Sequence, residues 1–192
     1  MSDDELIEKL KTLKRWFRKP RVRVSFPQTI APVATDQELS DAEQRLGRTL
    51  PPLLRRIYRE VGNGGFGPGF GMIGVGSGHK NPLGFDLVQN YRSLSAEDSW
   101  WPDWLVPLFD WGCASFTCLD LDGGELKRSI PDFDGGDDEP DNVLFLFEEK
   151  SLAAYLTRWL AGEQLSRPET LLLLERERRE GRTTRSHESG TS

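Results

Sequence analysis

Apolar residues return at helical spacing from the first turns of the chain. Leu6, Ile7, Leu10, Leu13 and Phe17 share one face of a helix over residues 3–17. Ser2 and Glu5 fit a capping box, and basic residues gather toward the far end, where the helix dipole favours cations. Pro20, Pro27 and Pro32 mark 18–34 as an extended connector. A second capping box, Thr35 with Glu38, opens a helix whose apolar face is Leu39, Ala42 and Leu46, and Gly47 suits its left-handed C-terminal cap. Leu50-Pro51-Pro52 starts a third helix, because proline is accommodated in a first turn. Its stripe is Leu53, Leu54, Ile57, Tyr58 and Val61, and it ends at Gly62.

Beyond the glycine-rich stretch GNGGFGPGFG the pattern turns to strands. The predicted strands are 70–75, 84–88, 105–109, 114–121, 126–130 and 143–148. Over 114–121, Ala114, Phe116, Cys118 and Asp120 alternate with Ser115, Thr117, Leu119 and Leu121, and Asp122-Gly123-Gly124 signals a turn. Ser151 caps a last strong helix carrying Leu152, Tyr155, Leu156, Trp159 and Leu160. Ser166 and Pro168 open a further helix with the run Leu171–Leu174, and 181–192 reads as a disordered tail. No internal repeat is visible.

Composition narrows the class. A chain of 192 residues with six Trp and ten Phe has the length and aromatic content of one folded domain. No apolar run approaches the ~18–20 residues that span a bilayer, and the acidic N-terminus has no apolar segment of a signal peptide. A cytoplasmic protein is expected. Cys113 and Cys118, placed on one strand, would point to opposite faces and remain reduced. The net charge of −6 is unevenly spread: residues 1–30 carry a local +4, whereas 96–142 carry −11. Such a field repels nucleic acid and attracts basic proteins, although acidic loops also serve solubility alone.

Three blocks point to a family. The segment from Glu38 to Gly69 places Glu43, Leu46-Gly47, Leu50-Pro51 and Asn63-Gly64-Gly65 in sequence. WLVPLFDWGCASFTCLDL sets a tryptophan ahead of an apolar strand, then Gly112, then a strand ending in Leu119-Asp120. FLFEEKSLAAYLTRWL closes with a strand and a helix. Together, over residues 33–162, these resemble the SUKH superfamily of Smi/Knr-type domains. The resemblance implies a single α+β domain, one mixed sheet of about six strands, and helices packed against it. Residues 1–32 (amphipathic helix and connector), 163–180 (C-terminal helix) and 181–192 (tail) lie outside it. Bacterial members look like immunity proteins that neutralise toxins by binding; fungal members look like scaffolds in cell-wall regulation. Neither role needs catalytic residues, so the resemblance implies a protein partner, a toxin domain first, and no cofactor.

Catalytic and metal motifs do not compete well. Two GxGxxG matches begin at Gly62 and Gly69, but neither sits between a strand and a helix. His79 and His187 are the only histidines, and no CxxC pair is present for zinc. The calcium-loop spacing fails at Gly124 and Gly136, where an oxygen ligand is required. No GxSxG elbow occurs, Ser77 beside His79 lies in a glycine-rich loop, and no feature selects a carboxylate pair for a hydrolase. Trp100, Trp101, Trp104 and Trp111 cluster, and an exposed one beside Asp103 or Asp110 would be an interface anchor with a charged rim. The candidate protein-binding residues are therefore Trp104, Asp110, Trp111, Asp120, Asp122, Asp132, Asp134, Asp137 and Asp138. If the acidic segment steers a basic partner, reversing charge at Asp132, Asp134, Asp137 and Asp138 slows association markedly at low salt; an unchanged on-rate in stopped-flow rules such steering out.

Overall fold

The computed structural model of the chain describes residues 1–16, 29–96, 101–132, 142–163 and 165. Among them are five α-helices: α1 (Asp3–Trp16), α2 (Asp36–Leu46), α3 (Pro52–Arg56), α4 (Leu87–Leu94) and α5 (Leu152–Leu160). Four strands, β1 (Leu105–Gly112), β2 (Ser115–Asp120), β3 (Leu126–Asp132) and β4 (Asn142–Glu149), form an antiparallel meander in the order β1-β2-β3-β4. The α+β class is as expected, but the sheet is neither mixed nor six-stranded.

Two expected strands fail for identifiable reasons. Residues 70–75 run beside β1 and make single bonds to it, Phe70 N–H to the Asp110 carbonyl and Ile73 N–H to that of Leu108 (both 2.9 Å). Gly71, at a positive φ that favours glycine, interrupts this stretch, so pairing reduces to one bridge, Met72 with Phe109. In 84–88 a capping box wins instead. Asp86 accepts from Gln89 N–H (2.8 Å) while the Gln89 side chain accepts from Asp86 N–H (3.0 Å), and α4 begins at Leu87.

The helical predictions fare better. Ser2 and Glu5 exchange bonds at the start of α1, and Leu6, Ile7 and Leu10 are buried. Thr35 and Glu38 form the full capping box of α2, and Gly47 takes the left-handed cap. α3 continues through a π-helical turn, Ile57–Val61, closed by a bond from Gly62 N–H to the Ile57 carbonyl (3.1 Å). The acidic loop 133–141, most of the connector and the predicted C-terminal helix and tail lie outside the described residues.

Each face of the sheet has its own cover. Cross-strand partners share a face, so Phe109, Thr117, Arg128 and Leu146 form one row. This row faces α5, where the Phe109 and Tyr155 rings lie 5.5 Å apart. The opposite row is Phe116, Ser129 and Phe145, capped edge-on by Trp101 at 6.4 and 5.2 Å from the two phenyl rings. The hydrophobic core lies between the first face and helices α1, α3 and α5, with Leu6, Ile7, Leu54, Ile57, Tyr155 and Leu156 wholly buried. Cys118 packs into the interior. Cys113 is not on a strand at all: with Ala114 it forms the two-residue β1–β2 turn, both at positive φ, and it is exposed.

The loop after Gly62 ties helices to sheet. The Asn63 side chain donates to the Val75 carbonyl and accepts from Val75 N–H, both at 2.8 Å. At Gly64 and Gly65, both at φ +86°, a β-carbon would strike the Met72 and Thr29 carbonyls respectively. Glu38 adds a second tie. It accepts from Ser77 Oγ (2.5 Å) and N–H (3.1 Å) as well as from Thr35 N–H (2.8 Å).

These bonds, that of the Ser77 hydroxyl foremost, hold the Glu38 carboxyl down to about 2 from its ordinary 4.5. A depressed carboxylate contributes stability that is full above its unfolded value and is lost as pH falls through its folded one. Glu38→Gln is therefore expected to cost about 1 kcal/mol at pH 7, and the gap to the wild type to narrow as pH falls from about 4.5 toward 2. Urea midpoints at pH 7, 4 and 3 check this.

Candidate protein-binding surface

The meander separates the predicted site residues into two groups at opposite ends of the sheet. At the β2–β3 end stand Trp104, Asp120 and Asp122. At the other stand Asp110, Trp111 and Asp132, with Asp134, Asp137 and Asp138 outside the described residues. No single described patch contains them all.

Asp120 belongs to the turn rather than to a free surface. Its Oδ1 accepts from Gly123 N–H (2.7 Å) and Asp122 N–H (2.9 Å), and Lys127 Nζ lies 3.2 Å from Oδ2. Burial pulls its pKa upward, but these donors outweigh it and the carboxyl ends below its usual value. Asp110 is likewise committed: it is buried, accepts from Gly112 N–H (2.7 Å), and is pushed upward in pKa by desolvation despite that bond. Asp132 ends β3 opposite Asn142.

Trp111 is part of an interior network. The register skips it between Asp110 and Gly112, and skips Glu148 between Phe147 and Glu149, so each sits at a bulge that re-aims its side chain. Both turn toward Arg128, which is fully buried on the α5 side. The guanidinium lies 4.1 Å from the Trp111 ring centroid and donates from Nε to Glu148 (3.1 Å) and from Nη2 to the same carboxylate. Thr117 Oγ1 accepts from Trp111 Nε1 (2.8 Å) and donates to Glu148 (2.7 Å), and the Tyr155 hydroxyl donates to Glu148 as well (3.2 Å). Glu148 thus receives four donors, two from Arg128 on β3, one from Thr117 on β2 and one from Tyr155 on α5. The geometry locks β1, β3, β4 and α5 together. The sequence held a signal for it: Leu126, Arg128 and Ile130 alternate in phase, which places the arginine among inward residues.

Trp104 is different. It is 40% exposed, while its carbonyl accepts from Leu121 N–H (2.9 Å) and so fixes it beside the β2–β3 turn. The neighbouring Asp103 carbonyl accepts from the Tyr91 hydroxyl (3.0 Å), which anchors the same segment to α4. Asp103 and Asp122 share one cation, Arg48, at 3.2 and 2.6 Å. Their side chains are 71% and 63% exposed, so the rim remains open to solvent. An amphipathic ring on a fixed backbone, edged by carboxylates, is the form of an interface anchor.

Ser77 gives its hydroxyl to Glu38, not to His79, whose pKa is lowered by burial. Among the described residues, no three His, Cys, Asp or Glu side chains are placed to hold a metal ion. No helix among them is long and apolar enough to cross a membrane.

The family model that matches this sequence is the SMI1/KNR4 family (SUKH-1), over residues 33–162. The chain belongs to that family. No curated protein matches the sequence. The SUKH-1 region runs from Val33 through α2, the Asn63 junction, the whole sheet and α5; α1 lies before it. The Trp104 surface and the Arg128 network both lie inside it.

The network makes a stability test. Glu148→Gln strips the counter-charge from a buried guanidinium and is expected to cost about 3–5 kcal/mol, while Arg128→Met with Glu148→Leu restores most of the loss. Denaturant midpoints of the three chains at neutral pH measure it.

Proposed function

We propose that this SUKH-1 protein works by binding and not by catalysis, as an immunity protein that neutralises a cognate toxin domain by direct contact in the cytoplasm. The observation that carries this reading is Trp104: a large aromatic left 40% exposed on a doubly anchored backbone. A Trp in that setting supplies contact area without loss of conformational freedom, and exposed Asp103 and Asp122 give it an acidic rim. The partner is a basic domain, which the local −11 of residues 96–142 draws in over distance. Membership of the family supports the same role, since the resemblance implies binding to toxins in bacterial relatives.

Titration calorimetry of the full chain against the product of the adjacent gene tests the reading. Trp104→Ala is expected to weaken binding about 30-fold or more, the cost of a central hot spot. Asp103→Lys with Asp122→Lys is expected to slow association about tenfold at low salt, the effect fading as salt rises. Tight binding indifferent to Trp104→Ala would move the interface elsewhere on the domain. No binding at all would overturn the immunity role and leave a scaffold for an endogenous partner.

A further inference from the structure

A groove of about 470 Å³ runs along the seam between α1 and α5. Leu13, Leu160 and Ala161 line it, with Lys9 and Thr12 on the α1 side. Leu13 and Leu160 are only partly covered among the described residues. The volume falls in the range of roughly 300–1,000 Å³ typical of clefts that take an aromatic group. The helix that forms one wall is basic there: beyond Glu8, α1 carries Lys9, Lys11, Lys14 and Arg15 and no acidic residue. Lys11 is paired with Glu8 and Glu60, whereas Lys9 makes no ion pair among the described residues.

The Trp104 corner is the converse in shape and in charge. It is a projecting apolar ring with Asp103 and Asp122 at its edge, where the groove is an apolar hollow with lysine at its edge. The two cannot meet within one chain. Asp3, Ser151 and Leu152 line a cleft together with Gly124 of the β2–β3 turn, so α1 and α5 both begin at the Trp104 end of the sheet. Leu13 and Leu160 stand roughly 12–15 Å farther along those helices, at about 1.5 Å per residue. Trp104 and Asp103 are meanwhile held in place by Leu121 and Tyr91.

We infer that the Trp104 corner of one molecule seats in the α1–α5 groove of a second copy, ring into hollow and carboxylates against Lys9. The inference rests on the Trp104 corner being a binding face, and it adds the chain itself as a second occupant. The contact is head-to-tail, so every assembly keeps one free corner and one free groove, and short chains form as concentration rises. One aromatic and a few charges cover far less than the ~1,600 Å² of a standard interface, so the contact is weak. Self-association then shields the anchor, and a tighter-binding partner displaces it.

Small-angle X-ray scattering of the full chain alone, over a concentration series, tests this; no toxin is present, so failure here leaves the toxin reading standing. At about 1 mM and low salt, where even weak contacts are populated, the wild type is expected to associate and to return toward monomer as salt rises. Trp104→Ala removes the ring, and Lys9→Glu with Thr12→Glu, both at exposed positions, makes the groove acidic. Each variant alone is expected to associate about tenfold more weakly or less. Mixed in equal amounts, the two are expected to recover a one-to-one pair that grows no further, because one supplies an intact corner and the other an intact groove. A monomeric wild type, association that neither variant weakens, or a mixture that stays monomeric overturns the contact.

Discussion

The arrangement of this domain depends on one side-chain amide. Asn63 stands where the helical half of the chain ends and the sheet half begins, and it brackets the backbone of Val75 with a donor and an acceptor. Neither bond has an alternative in water, because Asn63 is 1% exposed, so losing the amide would strand a buried N–H and a buried carbonyl. Gly64 and Gly65 follow because only residues without a β-carbon let the strands of chain at Thr29 and Met72 approach so closely. The Asn-Gly-Gly motif is thus a folding constraint, not a phosphate loop. It fixes where residues 70–75 lie along β1, and through β1 it fixes the meander.

The meander in turn sorts polar groups into those that are spent and those that remain available. Arg128, Glu148, Thr117 and Tyr155 bond to one another in the interior, and the half-buried Trp111 joins them through Thr117. Asp110 and Asp120 are consumed by turns. What is left facing solvent around a fixed aromatic is the Asp103–Trp104–Asp122 corner, where Arg48 bridges the two carboxylates without hiding them. An interface built there draws on a backbone already paid for by the fold, because Tyr91 and Leu121 hold it before any partner arrives.

Much of this was legible in the chain. Capping boxes and apolar stripes located α1, α2, α3 and α5, because local hydrogen bonding and 3.6-residue periodicity are written in neighbouring residues. The four strands that form were also visible. Residues 84–88 misled because an apolar pair after Asp86 reads as strand until Gln89 is recognised as the other half of a capping box. Residues 70–75 misled because alternation says nothing of the φ angles that their glycines adopt. The site was less legible. Charge identified Asp110 and Asp120 as candidates, yet burial and turn bonding are properties of the folded register. Trp111 and Trp104 look alike in sequence, and only a bulge separates the half-buried one, turned toward Arg128, from the exposed one.

The central claim is that the Trp104 corner meets the partner. Oxidative footprinting of the full chain with and without the toxin domain addresses it directly, since Trp104 is exposed enough to react and Trp101 is an internal buried reference. Trp104 oxidation is expected to fall sharply in the complex while Trp101 stays equally unreactive. Equal oxidation of Trp104 in free and bound protein would contradict it.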